Sequence, residues 1–420
     1  MAGVLHSPLS IGAMTVRNRL YRAPVLEGAG DGDDAAERYA RHFVENARHG
    51  VGMVVQGSSC VFAEGRTSPG MTCVDTREKT LRLAPMVEAV HREGAAIVLQ
   101  IGHGGLFAME AWHEPYASRR TGPILTSSPV PKAMWPVFRG VPVHPMTTDE
   151  VYAMARQYGA VASWAREAGY DAVQLGSANA KLLDQFLSPF YNRRTDEFGG
   201  SLEGRARVLR IIRDEIRTQA GADYPCLVKV PAETAPLWFA RSTFDDAIDL
   251  ARLVEEWGFD AVTPVRVSVL PDTTLSRGGT PDSFTTNKAM AQRLRTAAPS
   301  RWRRFVLVYG AKVGARRARF EPVWNRELFT AVRANVSIPV LAVGGIRTAA
   351  ECNEILDAGV ADMVGIGRPF YAEPDLAERI LGDDTAPRLC RNSNRCVPAQ
   401  MLGMKGMCYN PAVRTRSRDS

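Results

Sequence analysis

Short β-branched apolar runs alternate with longer stretches whose apolar positions recur every three to four residues, and the alternation repeats along almost the whole chain. The runs are RLYRAPV (19–25), GMVVQGS (52–58), AAIVLQIG (95–102), DAVQLGS (171–177), PCLVKVPA (225–232), DAVTPV (260–265), IPVLAVGG (338–345) and ADMVGIG (361–367). Each has the length and composition of a strand covered on both faces. Between them the helical period predicts helices at 35–49, 79–93, 148–168, 202–219, 244–257, 325–334 and 348–358, with 375–381 closing the series. Thr148-Asp149-Glu150 and Thr243-Phe244-Asp245-Asp246 offer short polar side chains to free N–H groups at two helix starts. Gly169-Tyr170-Asp171 and Gly258-Phe259-Asp260 each end a helix and open the next strand.

Eight such units fit a (β/α)8 barrel better than an open doubly wound sheet, because no G-x-G-x-x-G turn follows the first strand. In a barrel, function gathers at the C-terminal ends of the strands. That rule directs attention to Pro24, Gly57, Gln100 to His103, Gly176 to Lys181, Lys229, Gly344-Gly345 and Gly367-Arg368. Residues 103–147 and 266–324 are too long for simple connectors and are expected as long loops over the mouth, lids or subunit contacts. The expected division is a barrel domain over 1–385 and a cysteine-containing tail over 386–420 packed on it.

Composition narrows the picture further. Apolar residues make up 45% and charged residues 23% of 420, ordinary for a globular chain with a sizeable core. The start, MAGVLHSPLSIGAM, lacks a basic segment followed by an apolar one, and no run approaches the about 18 apolar residues of a membrane span. The expectation is a cytoplasmic protein with no membrane partner. The net charge of +7 is concentrated in RWRRFVLVYGAKVGARRARF (301–320) and the tail VRTRSRDS, without a nucleic-acid recognition motif. It reads as a solvated basic face, with an acidic substrate or electron donor as the alternative. Seven cysteines, an odd number, read as reduced thiols rather than a disulfide framework.

IPVLAVGGIRTAAECNEILDAGVADMVGIGRPF (338–370) is the most informative segment. Two strands end in Gly344-Gly345 and Gly367-Arg368, where backbone N–H groups can close on a phosphate and an arginine can add a charge-assisted bond. The alternative is that the glycines only make tight turns.

With SPLSIGAMTVRNRLYRAPV, EGR (64–66), LQIGHGG and LLDQFLSPFYNRRTDEFGGSLEGRAR (182–207) added to that segment, the chain resembles the old yellow enzyme family of FMN-dependent oxidoreductases over residues 5–410. The resemblance implies that Ala23, Pro24 and Val25 back the isoalloxazine ring with Gly57 beside them. It further implies that Gln100 bonds the pyrimidine edge, Lys229 stands near flavin N1, and Gly344, Gly345, Gly367 and Arg368 hold the phosphate. A cation near N1 suits a reduced, anionic flavin. NAD(P)H is the candidate reductant, a small molecule the substrate, and a homo-oligomer is compatible with the family.

Where the family reads HSANGYLLDQFLSP, this chain reads GSANAKLLDQFLSP. Asn179 stays as a carbonyl-binding residue, Gly176 replaces the histidine, and Lys181 replaces the tyrosine that protonates the α-carbon. No histidine follows His144 to compensate. Lys181 reads in three ways: a proton donor if desolvated, a cation for a carboxylate or enolate, or a solvent-facing residue. Gly176 widens the pocket floor. His103 is a candidate substrate donor or a packing residue, and Tyr39, Trp112, Trp135 and Tyr309 are candidates to line or cover the pocket.

In LCRNSNRCVPAQMLGMKGMCYNP (389–411), Cys390, Cys396 and Cys408 resemble part of a four-cysteine iron–sulfur site in longer relatives, with Ser393 in the place of the other cysteine. A packing role for these thiols is expected, without metal. The function expected is hydride exchange between flavin N5 and a C=C or C–C bond next to a carbonyl, with an oxidative direction open. The alternatives are a redox-neutral isomerase or cyclase and a non-catalytic flavin-binding protein.

Overall fold

The computed structural model describes residues 3–234, 240–269, 274 and 276–414, except the side chains of Arg317 and Arg414. Parts of the expected 266–324 loop and the basic end of the tail therefore lie outside the described residues.

Eight parallel strands form one sheet: β1 (Leu20–Arg22), β2 (Met53–Cys60), β3 (Ala96–Gly102), β4 (Ala172–Leu175), β5 (Cys226–Ala232), β6 (Ala261–Arg266), β7 (Leu341–Val343) and β8 (Met363–Ile366). Six fall inside the runs read from the sequence, while β2 runs two residues past its run to Cys60 and β6 one residue past its run to Arg266. β1 pairs with both β2 and β8, and a parallel bridge between Val262 and Val340 brings β6 against β7 and closes the barrel. The helices that follow the strands are α1 (Ala35–Arg48), α2 (Ala84–Arg92), α3 (Thr148–Glu167), α4 (Leu202–Ala220), α5 (Phe244–Glu256), α6 (Arg326–Arg333), α7 (Ala349–Asp357) and α8 (Leu376–Leu381). The helix expected at 79–93 is broken: a short turn at Arg77–Leu81 precedes α2, whose second residue is Pro85. Proline lacks an N–H and belongs in a first turn. Thr147 rather than Thr148 caps α3, in a box with Glu150, and Thr243 with Asp246 caps α5 as read.

Alternation along the strands sorts the core into two layers. Tyr21, Met53, Val55, Val98, Ala172, Leu227, Ala261, Leu341 and Met363 fill the barrel, and Ile11, Met14 and Val16 of an N-terminal hairpin join them. Their strand neighbours Val54, Ile97, Val173, Val228, Val262, Ala342 and Val364 face the helices.

Three aspartates at the strand starts repeat one device. Asp171, Asp260 and Asp362 donate their N–H groups to Ile97, Cys226 and Val340 carbonyls, and their carboxylates accept the N–H groups of the same three residues at 2.7–2.9 Å. Each carboxylate also meets a basic side chain, the His91 imidazole, Arg217 and Arg333 respectively. These clamps lie at the N-terminal face, where a barrel keeps stability rather than chemistry.

The expected loops are more structured than a lid. Residues 103–147 contain short helical turns and a strand pair, Ile124–Thr126 with Val143–Pro145. Residues 283–317 are mostly helical: Ser283–Thr286, Lys288–Ala297 and Arg301–Arg317. Phe284, Met290, Leu294 and Ala297 from this insertion form a small core with Ala399 and Leu402 of the tail. The tail thus packs on the insertion as well as on the barrel.

Candidate active site

The inward series continues upward into the barrel mouth. Two residues beyond Val98 stands Gln100, beyond Ala172 Gln174, beyond Leu227 Lys229, and beyond Ala261 Thr263. Gln100 Nε2 donates to Gln174 Oε1 (2.7 Å), and Gln174 Nε2 donates to Thr263 Oγ1 (3.1 Å), so a polar chain crosses the interior above the apolar layer. Gln100 Oε1 accepts no hydrogen bond among the described residues. Higher still, Gly176, Gly345 and Gly367 continue the series on β4, β7 and β8, leaving the top of the barrel with few side chains. Gly57 lies buried against Gln100. Ala23 is buried, its N–H bonded to Ile366, while Pro24 and Val25 are half-buried at the end of β1.

Two lysines enter this space, and neither has an acidic or hydrogen-bonding partner among the described residues. Burial pulls Lys229 down to about 8. Burial, and then the charge of Lys229, pulls Lys181 to about 8 as well. Lys181 is therefore neither fully solvent-facing nor paired. His103 stands nearby: burial first and Lys181 second hold it down at about 4, so it is neutral. Its Nδ1 accepts the Gly105 N–H at 3.0 Å, which leaves the proton on a buried Nε2 with no partner.

The lip is built to hold this arrangement. Gly176 donates its N–H to Ile101, and a Cβ there would stand 3.1 Å from the Ile101 carbonyl and 3.6 Å from Ser58 Oγ. The chain then turns through Asn179 (φ 65°) and Ala180 (φ 53°), a left-handed pair that asparagine adopts readily and alanine less so. Asp184 and Gln185 fasten it. Asp184 accepts the Ala180 N–H at 2.6 Å, and Gln185 bonds the Ala180 carbonyl and the loop at Gly104 and Leu106. The Asn179 carboxamide stays free among the described residues, half-buried on the rim. Burial, and then Glu233, raises the Asp184 carboxyl well above the usual range. Glu233 in turn accepts from Ser188 and the Ser242 N–H.

At the opposite rim, Gly344 (φ 117°) and Gly345 (φ 85°) adopt backbone only glycine takes freely, and a Cβ on Gly344 would meet Asn325 Cβ at 2.6 Å. Trp324 and Asn325 pack directly on the pair, so the glycines serve this contact whatever else they bind. Gly345 and Ile346 donate no N–H to any described residue. Arg368 donates to Asn394 and to the Arg277 carbonyl (2.9 Å), both neutral, and its charge is balanced by no carboxylate among the described residues. Beside it a cavity of about 20 Å³ is lined by Tyr371, Asn392, Cys390, Cys396 and Cys408. Among the described residues no three His, Cys, Asp or Glu side chains are grouped so as to hold a metal ion.

Other candidates lie elsewhere. Tyr39 is in the outer core, bonded to Thr72, and Trp135 and Tyr309 are exposed. Gln174, Thr263, Asp184 and Trp324 were not singled out from the sequence. Gln174 and Thr263 carry a signal, a polar residue on the inward phase of an apolar strand; Trp324 carries none.

An open-topped eight-stranded barrel thus gathers an acceptor, unpaired cations and free backbone donors at its mouth, and sequence comparison gives its family. The chain belongs to the NADH:flavin oxidoreductase / NADH oxidase family of oxidoreductases, whose profile matches residues 4–298 and 240–383. It is 29% identical over 377 residues to the NADH oxidase of Thermoanaerobacter brockii, covering 88% of this chain and 50% of that protein. It is 26% identical over 374 residues to the NADPH dehydrogenase of Halalkalibacterium halodurans, covering 88% and 91%. The chain spans about half the length of several curated relatives it matches. Its fold is that of the old yellow enzyme homologue from Zymomonas mobilis (TM-score 0.66, 20% identity, 98% of each chain). 2-Naphthoyl-CoA reductase shares it (TM-score 0.77, 20% identity, 99% of this chain and 58% of that one). No helix among the described residues is long and apolar enough to cross a membrane.

Proposed function

We propose that this chain is an FMN-dependent oxidoreductase acting at a C=C or C–C bond next to a carbonyl, on a substrate that carries negative charge beside that bond. When bound, FMN supplies hydride exchange at its N5. The donor set fits the cofactor. Gln100 Oε1 is free to accept from the pyrimidine N–H, Lys229 supplies a cation for its anionic edge, and Ala23, Pro24, Val25 and Gly57 leave room for the ring. Gly344, Gly345, Gly367 and Arg368 form the phosphate end, with Gly345 and Ile346 N–H groups unspent and Arg368 charge unbalanced.

The observation that carries the substrate reading is Lys181, unpaired among the described residues and held near 8 beside a second lysine. A cation so desolvated gains most from an anion placed between it and Lys229. Asn179 binds the substrate oxygen from the rim, and His103 offers its unpartnered Nε2–H. With a value near 8, Lys181 can hold or give up a proton at ordinary pH, which suits it to the task tyrosine performs in relatives. Gly176 leaves the floor open for the displaced substrate.

The test loads the protein with FMN, reduces it with NADH or NADPH, and follows reoxidation by α,β-unsaturated carboxylates and by neutral enones of matched size. The proposal expects carboxylates to act faster, and Lys181→Met to abolish that preference. Equal rates for both classes, or a preference that survives in Lys181→Met, would overturn it.

A further inference from the structure

The insertion after β6 carries a helix, Arg301–Arg317, that is apolar on two sides. Leu307, Val308 and Ala311 pack inward on the small core shared with the tail. On the outward side Trp302 is 70% exposed, Phe305 56%, Val306 44% and Tyr309 57%. The three rings form a continuous ladder, Trp302 on Phe305 at 5.7 Å and Phe305 on Tyr309 at 5.5 Å. Positions i, i+3 and i+7 stack along one helical face, so the ladder is a ridge and not scattered exposure. Isolated exposed apolar residues are ordinary; a contiguous aromatic patch marks an interaction surface.

Charge identifies the occupant. Residues 301–320 contain no Asp or Glu, while Arg301, Arg303 and Lys312 are exposed around the ridge and Arg316 is exposed near its end. A second copy seated symmetrically would set these cations against one another, so self-association is opposed. A helix with outward Trp, Phe and Tyr flanked by Arg and Lys has the composition of one that lies in the plane of an anionic bilayer.

We infer that this helix docks the protein reversibly on anionic lipid membranes, the rings entering the headgroup boundary while the flanking cations meet lipid phosphates. Such docking requires no spanning helix.

The test uses the purified full chain and vesicles of phosphatidylcholine with or without phosphatidylglycerol, read by co-sedimentation and by quenching of tryptophan fluorescence with brominated lipid. Binding is expected only with phosphatidylglycerol, weakened at least about tenfold by high salt and by Trp302→Ser/Phe305→Ser/Tyr309→Ser, with quenching lost in that variant. The same variant should keep FMN content and thermal midpoint, which separates lost docking from lost folding. If that variant misfolds, Arg301→Gln/Arg303→Gln/Lys312→Gln serves, and it too must weaken binding. Absent binding to anionic vesicles, binding without quenching, or wild-type dimerisation abolished by the ring substitutions would overturn the inference, the last in favour of a second copy.

Discussion

On the proposed function, Lys181 is the residue on which the chemistry turns. Its folded value near 8 lies below the ordinary 10.5, so the unfolded chain binds more protons between those limits and the lysine lowers stability below about pH 8, a cost that fades as pH rises to about 10.5. Lys181→Met should therefore stabilise the protein near neutrality, by about 1–2 kcal/mol after allowance for solvent screening of a half-buried group. Thermal melts at pH 7 and pH 10 check this, the gain shrinking at the higher pH. Binding of an anionic substrate should run the other way, weakening above about pH 8 in the parent as the ammonium is lost, and becoming flat in Lys181→Met. Gly176 gives the complementary test. A side chain there needs a few tenths of an ångström from the Ile101 carbonyl at 3.1 Å, which the rim can yield. Gly176→His with Lys181→Tyr should raise turnover of neutral enones by about 10²-fold, the worth of one oxyanion donor; steady-state assays with cyclohexenone decide.

At the scale of elements, three aspartate clamps tie neighbouring strands together at the N-terminal face of the barrel. Asp260→Ala removes a bond to Cys226 N–H and an ion pair with Arg217. It should cost about 1–3 kcal/mol because a buried donor is left unpaired, while FMN affinity stays unchanged; denaturant unfolding and flavin titration separate the two effects. All eight barrel strands were legible because each is a β-branched run between turn residues, and the repeated Gly-aromatic-Asp at 169–171 and 258–260 marked two of the clamps. The helix Arg301–Arg317 was not, since it is apolar on two faces and so has no amphipathic period to read. The lip at 176–181 stood out because its residues differ from the family's, whereas the packing of Trp324 on Gly344 depends on tertiary contact that no local pattern encodes.

For the molecule as a whole, the inward phase of the strands runs from apolar at the base, through the Gln100–Gln174–Thr263 chain, to glycine at the rim, with two lysines left uncompensated. Such a gradient is costly for an empty barrel and sensible for one that holds an anionic ring. The most direct measurement is flavin titration of the purified, flavin-stripped protein, followed by absorbance and calorimetry, beside Gln100→Leu and Lys229→Met. Saturable uptake of one FMN per chain is predicted, weakened about tenfold or more in each variant, as expected for loss of one charge-assisted or buried hydrogen bond. A protein that takes up no FMN, or binds it equally well in both variants, would contradict the account.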